Sequence, residues 1–309
     1  MEEGERCMAH YLKEKAAAYR KAFRERPVRV FFLTLIPVLL AVLIIAGVVV
    51  WFVVADPPVR AKDTVPLSES VIEEHDVRLI AHRGFSAIAP ENTTAAFEEA
   101  GKAGFWGAEL DVHRTTDGKW VVMHDDNLSR MTRKIGMVAW HSSEDLCSTP
   151  INNGANIDQY EGLTVPLLSE MLAICEEYHM TPVIEVKSSV KGELNDLIAV
   201  VDEAGFKNQA IYISFSQDQT KQLRALVPAA RVYYLSKDIT DEAMAFCLEN
   251  NVGLDFDARR EENTPEVIRS AMEQGIDCAA WTVDDKDLCE MLIDLGIQYI
   301  TTNCIYPED

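Results

Sequence analysis

From Arg78 onward the chain alternates short apolar runs with longer amphipathic stretches. The strand-like runs are Leu79–His82, Gly107–Val112, Thr181–Lys187, Gln209–Ser214, Arg231–Leu235, Val252–Phe256, Asp277–Val283 and Gln298–Thr302. Helix-period patterns separate most of them, among them Thr93–Ala103, Leu167–Tyr178, Gln217–Leu226, Asp241–Asn250, Pro265–Gln274 and Asp284–Leu295. Asn92 or Thr93 is placed to cap the first of these, after Pro90. Strands alternating with helices imply an α/β fold with a parallel sheet. Eight such units within residues 78–309 fit a (β/α)8 TIM barrel, which typically takes about 250 residues. A doubly wound open sheet is the runner-up. Trp120–His124 reads as an extra strand entered through a hairpin-type turn at Asp117-Gly118. Asp125 to Thr164, rich in Ser, Asn and Gly, reads as a small inserted loop region over one end of the barrel.

A different pattern precedes this domain. Phe31 to Val54 holds 24 residues without a charge. At a rise of about 1.5 Å per residue it reaches roughly 36 Å, enough to cross a hydrocarbon core of about 30 Å with some tilt. A cleaved signal peptide has a shorter apolar core and a shorter leader than the 30 residues found here. The pattern therefore predicts a retained transmembrane signal-anchor helix over 31–54. A polar cytoplasmic tail (1–30) precedes it, and a stalk (55–77) links it to the barrel domain (78–309). Arg20, Lys21, Arg24, Arg26 and Arg29 lie within fifteen residues before the run, and only Arg60 and Lys62 within fifteen after it. That asymmetry places the N-terminus in the cytoplasm and the large domain outside.

Charge sharpens the division. Residues 1–62 carry 10 Lys/Arg against 6 Asp/Glu, whereas residues 63–309 carry 19 against 44, a net −25. Such a domain lacks the basic face that nucleic acid requires. The acidity supplies solubility or marks an acidic pocket for a divalent cation, and only particular residues discriminate. Seven cysteines in 309 residues exclude a disulfide scaffold. Cys7 reads as an ordinary thiol. Cys147, Cys175, Cys247, Cys278, Cys289 and Cys304 read chiefly as small buried hydrophobes.

Polar residues gather where the predicted strands end, the side on which TIM barrels carry their chemistry. The first strand runs into His82-Arg83-Gly84. In the second, Glu109 and Asp111 share one face, and the apolar Leu110 and Val112 occupy the other. The third brings Glu185 and Lys187 to one side. Carboxylates crowded on an inward face are costly unless paired, and a hard cation such as Ca²⁺ or Mg²⁺ is the natural remedy. His124, closing the extra strand, is placed to reach the same rim.

These residues carry a family resemblance. Residues 80–125 present an HRG, a PENT helix start, an E-x-D, a DG turn and an HD in order. The series continues through Val165-Pro166-Leu167, Glu185-x-Lys187, Ser214-Phe215 and Trp281-Thr282-Val283. The chain resembles the glycerophosphodiester phosphodiesterases over essentially all of 79–309. The resemblance implies a TIM barrel that hydrolyses a small-molecule glycerophosphodiester to glycerol 3-phosphate and an alcohol. It implies Glu109, Asp111 and Glu185 as metal ligands, His82 and His124 as the acid–base pair, and Arg83 and Lys187 as phosphate contacts. Phe215 and Trp281 either wall the pocket against the glycerol moiety or pack in the core. The family also suggests a cyclic phosphate intermediate. Members often carry Asn where this chain has Asp284, and Asp where it has Asn303; on this reading neither position is a core catalytic one. Lysophospholipase D activity is the alternative. A catalytically silent binding barrel ranks last, because both histidines and all three carboxylates are present.

Overall fold

The computed structural model describes residues 13–18, 20–21, 64–187 and 194–308. The chain divides into two compact units, Met1–Pro57 and Pro58–Asp309. In the first, residues 13–18 and 20–21 are helical. Among the described residues no helix is long and apolar enough to cross a membrane, and the 31–54 run lies outside them.

The second unit runs β1 (Val65–Ser68), α1 (Glu69–Glu74), β2 (Arg78–Ala81), α2 (Thr94–Lys102), β3 (Gly107–Arg114), β4 (Trp120–Val122), α3 (Ser143–Cys147), α4 (Leu168–Glu177), β5 (Thr181–Val186) and α5 (Asn195–Glu203). It continues β6 (Ile211–Ser214), α6 (Gln217–Leu226), β7 (Arg231–Ser236), α7 (Asp241–Asn250), β8 (Gly253–Asp257), α8 (Pro265–Glu273), β9 (Cys278–Trp281), α9 (Lys286–Asp294), β10 (Tyr299–Thr302) and β11 (Ile305–Glu308). Strands β2, β3, β5, β6, β7, β8, β9 and β10 pair in parallel, and β2 bonds both β3 and β10. That double pairing closes the sheet into an eight-stranded barrel and disposes of the open doubly wound alternative.

The two-residue period of the strands separates two cores. Ile80, Val183, Ile211, Ile213, Leu235 and Ala279 fill the barrel interior. Outward-facing strand positions, such as Leu79, Ala108, Leu110, Ile184, Tyr212 and Leu254, pack against the helices. The end where the strands begin is plugged by aromatics. Trp106 meets Tyr299 edge-on at 5.5 Å, Tyr233 lies 6.2 Å from Tyr299, and Arg78 and Arg231 lie over the Tyr299 ring at 5.1 and 5.0 Å. The plug leaves the opposite end, where the strands finish, as the mouth.

Helices start where a short polar side chain follows a strand. Thr93, Ser216, Thr240 and Asp285 each accept a hydrogen bond from the backbone N–H three residues on, satisfying a donor the first turn leaves free. Thr93 therefore caps α2, and Asn92 is left for another partner.

Two parts of the fold differ from the sequence reading. Residues 65–74, read as stalk, form β1 and α1, and β1 pairs in parallel with β11 at the far end of the chain. The inserted region after His124 is more than loop. It carries α3 and has a small core of its own, in which Leu128, Met131, Val138, Leu146 and Ile151 pack on Val121 and Met123. The hairpin reading holds, with β4 antiparallel to β3.

Candidate active site

The turn after β2 is forced into an uncommon shape. Arg83 and Gly84 have φ of +59° and +74°. A Cβ on Gly84 would stand 2.7 Å from the Ala96 backbone carbon of α2, so only glycine fits. The shape aims the Arg83 backbone N–H at Glu109 Oε2, 2.9 Å away. It also sends the Arg83 Nη1–H to Glu91 Oε1 at 2.9 Å. His82 precedes the turn, with Nδ1 2.8 Å from Asn303 Oδ1 and Nε2 3.9 Å from Glu109 Oε2.

Beside it, β3 lies against β5 with Asp111 opposite Glu185. Glu109, Asp111 and Glu185 are all buried, and each offers an oxygen within 4.8 Å of the others. Lys187 Nζ reaches Glu185 Oε1 at 2.8 Å and Asp111 Oδ1 at 3.2 Å. Asn92 grips Asp111 twice: Nδ2–H donates to Oδ2 at 2.7 Å, and Oδ1 accepts from the Asp111 backbone N–H at 3.3 Å.

The electrostatics are uneven. Burial, then the charges of Asp111 and Glu185, push the Glu109 carboxyl well above the usual range. Burial and Asp111 push Glu185 up as well. Burial alone would raise Asp111 too, but Lys187, His124 and Arg83 hold it well below. Lys187 is held above its ordinary value against the penalty of burial by Asp111 and Glu185. Two of three carboxyls thus resist ionisation for want of positive charge. A hard divalent cation fits this all-oxygen donor set and would relieve both. Arg83 Nε is buried with no hydrogen-bond partner; its nearest acidic oxygen, Asp111 Oδ2, lies at 3.6 Å. A guanidinium edge left free in such a place suits an incoming anion.

The second histidine is held from the inserted region. His124 Nδ1 lies 2.7 Å from Asp125 Oδ1. Arg130 grips Asp125 through Nε and Nη2 and grips Glu91 through Nη1 and Nη2. Arg83, Glu91, Arg130, Asp125 and His124 therefore form one unbroken chain of charge-assisted contacts between the two histidine-bearing segments. Despite burial, Arg83 and Arg130 hold Glu91 down at about 2. Burial, then the Arg83 charge, hold His82 down at about 3. Across the mouth, Phe215 meets Trp281 edge-on at 5.6 Å, and Phe215 is 37% exposed.

The structure gathers His82, Arg83, Glu109, Asp111, Glu185 and Lys187 through the contacts above, and His124 lies close enough for its charge to act on Asp111, Glu185 and Glu91. Phe215 and Trp281 face each other at strand ends, with Trp281 Nε1–H donating to the Asp255 carbonyl at 3.2 Å. Sequence reasoning assigned no role to Glu91, Asp125 or Arg130, although the first two stand inside the PENT and HD motifs. It read Asn303 as no core catalytic residue and did not foresee that its side chain touches His82. Asp255 on β8 was also missed. It is buried, its Oδ1 has no hydrogen-bond partner, and burial and the Glu185 charge push it well above the usual carboxylate range.

A closed parallel barrel that sets a buried carboxylate triad beside His82, Arg83 and Lys187 is a site suited to phosphoester chemistry. Residues 82–305 match the Glycerophosphoryl diester phosphodiesterase family, and the chain belongs to it. Enzymes named glycerophosphodiester phosphodiesterase are similar to it. That of Caldanaerobacter subterraneus is 29% identical over 229 residues, spanning 73% of this chain and 93% of the relative. That of Bacillus subtilis is 30% identical over 251 residues, spanning 74% and 83%. Among solved structures, an Oleispira antarctica phosphodiesterase in complex with the product sn-glycerol-3-phosphate superposes with a TM-score of 0.65 at 25% identity, covering 73% of this chain and 92% of that one. The glycerophosphodiester phosphodiesterase of Parabacteroides distasonis gives 0.63 at 26% identity, covering 74% and 92%. The protein is accordingly an enzyme of this family.

Proposed function

We propose that this enzyme hydrolyses small glycerophosphodiesters to glycerol 3-phosphate and an alcohol, with a divalent cation held by Glu109, Asp111 and Glu185 and with His82 and His124 as the acid–base pair. The observation that carries the reading is the buried carboxylate triad with its oxygens within 4.8 Å of one another, beside an Arg83 Nε that has no hydrogen-bond partner. The product complex of the Oleispira antarctica relative supports the substrate class. When bound, Ca²⁺ or Mg²⁺ would supply Lewis-acid neutralisation of phosphate charge.

The chain's own residues do the rest. Arg83 offers a planar donor edge and Lys187 a point charge to the non-bridging oxygens. One histidine takes the proton of the glycerol 2-hydroxyl as its oxygen bonds to phosphorus. The other gives a proton to the departing alcohol as its P–O bond breaks. Water then opens the cyclic phosphate with the two roles reversed. Phe215 and Trp281 wall the mouth against the glycerol end.

The 31–54 run anchors the chain in a membrane, with residues 1–30 cytoplasmic and the barrel outside, on the strength of its 24 uncharged residues and the five-to-two bias of flanking positive charge. Retention of the full chain in the membrane pellet after carbonate extraction, and protease access to the barrel from outside only, are the expected results. Release of the intact chain by carbonate would overturn the anchor.

The test of the chemistry is release of glycerol 3-phosphate from glycerophosphocholine, followed with Ca²⁺, Mg²⁺ or chelator. Release with metal, lost in chelator and in His82→Ala, is expected. Full turnover in chelator would overturn the metal reading, and release only from a lysolipid would favour the lysophospholipase D alternative.

A further inference from the structure

His82 has two ring nitrogens, and which one carries hydrogen decides which can exchange a proton with substrate. The answer lies across the closed barrel seam, in Asn303 and Asp284. Asn303 sits just past β10, and Asp284 leads into α9. The Asp284 carboxylate is bound by three donors: the Asn303 backbone N–H to Oδ1 at 2.8 Å, the Thr302 hydroxyl to Oδ1 at 3.2 Å, and Asn303 Nδ2–H to Oδ2 at 2.7 Å. A carboxylate only accepts, so the amide nitrogen of Asn303 must face Asp284; the flipped amide would press one acceptor on another at 2.7 Å. The amide oxygen therefore faces the other way, where it lies 2.8 Å from His82 Nδ1 and 3.0 Å from the Ser86 hydroxyl. An amide oxygen has no hydrogen to give, so the hydrogen of that contact belongs to His82 Nδ1.

We propose that Asp284 is a positioning residue which, acting through the Asn303 amide, fixes His82 as the Nδ1–H tautomer and fixes its ring plane, so that Nε2 alone exchanges protons in the mouth. Nε2 is the nitrogen turned to the reacting side, 3.9 Å from Glu109 Oε2. The proposal rests on the reading of His82 as one of the acid–base pair. It extends that reading to a carboxylate outside the proposed metal-ligand set.

The experiment uses the compact unit 58–309, whose barrel and terminal strand pair close within itself. Two-bond ¹H–¹⁵N correlation spectra report the tautomer of each histidine without any need for activity. His82, assigned by its loss in His82→Ala, is expected to show a protonated Nδ1 and an unprotonated Nε2. Asp284→Ala, melting as the wild type, is expected to blend the two tautomers. Its kcat should fall about 10- to 100-fold, part of what general acid–base catalysis supplies, while KM stays within about threefold. Asp284→Asn leaves the Asn303 amide unoriented, and Asn303→Asp sets two carboxylates against each other, so both single exchanges should lose kcat. The double exchange Asp284→Asn/Asn303→Asp rebuilds a carboxylate–amide pair with a pure acceptor on Nδ1. It should restore the Nδ1–H signature and most of kcat, even if a single variant folds poorly. An Nε2–H His82 in the wild type, or a folded Asp284→Ala with wild-type kcat, would overturn the proposal. So would a double exchange no better than the singles. A wild type that releases no glycerol 3-phosphate would defeat the proposed reaction instead, and the tautomer result would stand apart from it.

Discussion

Glu91 and Arg130 meet in a two-point ion pair, Oε1 to Nη2 at 2.6 Å and Oε2 to Nη1 at 3.0 Å, with both side chains less than one-fifth exposed. The pair fastens the inserted region to the turn that carries His82, because Arg83 shares Glu91 from the other side. The Glu91 carboxyl is held at about 2, below its ordinary 4.5. A depressed folded-state value means that the folded chain binds fewer protons than the unfolded one. The contribution is therefore present above about pH 5 and is lost as pH falls from about 5 to 2. It amounts to roughly 3 kcal/mol at neutral pH. Urea unfolding of Glu91→Gln should show a deficit of that order at pH 7 that narrows below about pH 5 and closes as pH falls through about 2. A deficit constant with pH would contradict the ionic account.

The carboxylate triad makes an opposite pH prediction. Glu109 and Glu185 have raised folded-state values, so in chelator the wild type should lose stability as pH rises through them. Glu109→Gln mimics the protonated acid, and in chelator at pH 8 it should melt at or above the wild-type temperature. With Ca²⁺ or Mg²⁺ the order should invert, because only the wild type gains stability by binding. Equal metal-induced shifts in both proteins would remove Glu109 from the ligand set.

Asn92 holds Asp111 from two sides and sits at φ +56°. Asn92→Ala should leave the barrel folded and weaken metal binding by about 10- to 100-fold, the usual scale for a group that orients a ligand. Titration calorimetry reads this directly, and unchanged affinity would make the contact structural only.

Gly84→Ala places a methyl group 2.7 Å from backbone at a φ of +74°. A loss of about 2 kcal/mol or more is expected, with activity falling alongside, since the turn presents both His82 and Arg83. A stable, active Gly84→Ala enzyme would show that the turn relaxes freely.

Of the six cysteines of the barrel unit Cys147 is half-buried and the other five are buried, and burial pushes the thiols of Cys175, Cys247, Cys278 and Cys289 up to about 12. Under non-reducing conditions a thiol reagent should label only the half-buried Cys147 on the folded unit, and slowly. Denaturation should release all six. Fewer than six would reveal a disulfide.

The sequence by itself determined whatever depends on neighbours along the chain. A two-residue period set Glu109 beside Asp111 and Glu185 beside Lys187. Alternating apolar runs marked all eight barrel strands, and Asp117-Gly118 marked the hairpin into β4. Tertiary structure alone decided what depends on the ends meeting. Val65–Ser68 looked like stalk because its partner, Ile305–Glu308, lies some 240 residues on. The contact of Asn303 with His82 went unseen because it crosses 221 residues. Arg130 lay unnoticed in the inserted region until folding brought it to Glu91, 39 residues back. Periodicity records which way a side chain points from its own strand. It carries no record of which distant side chain closure of the barrel will set against it.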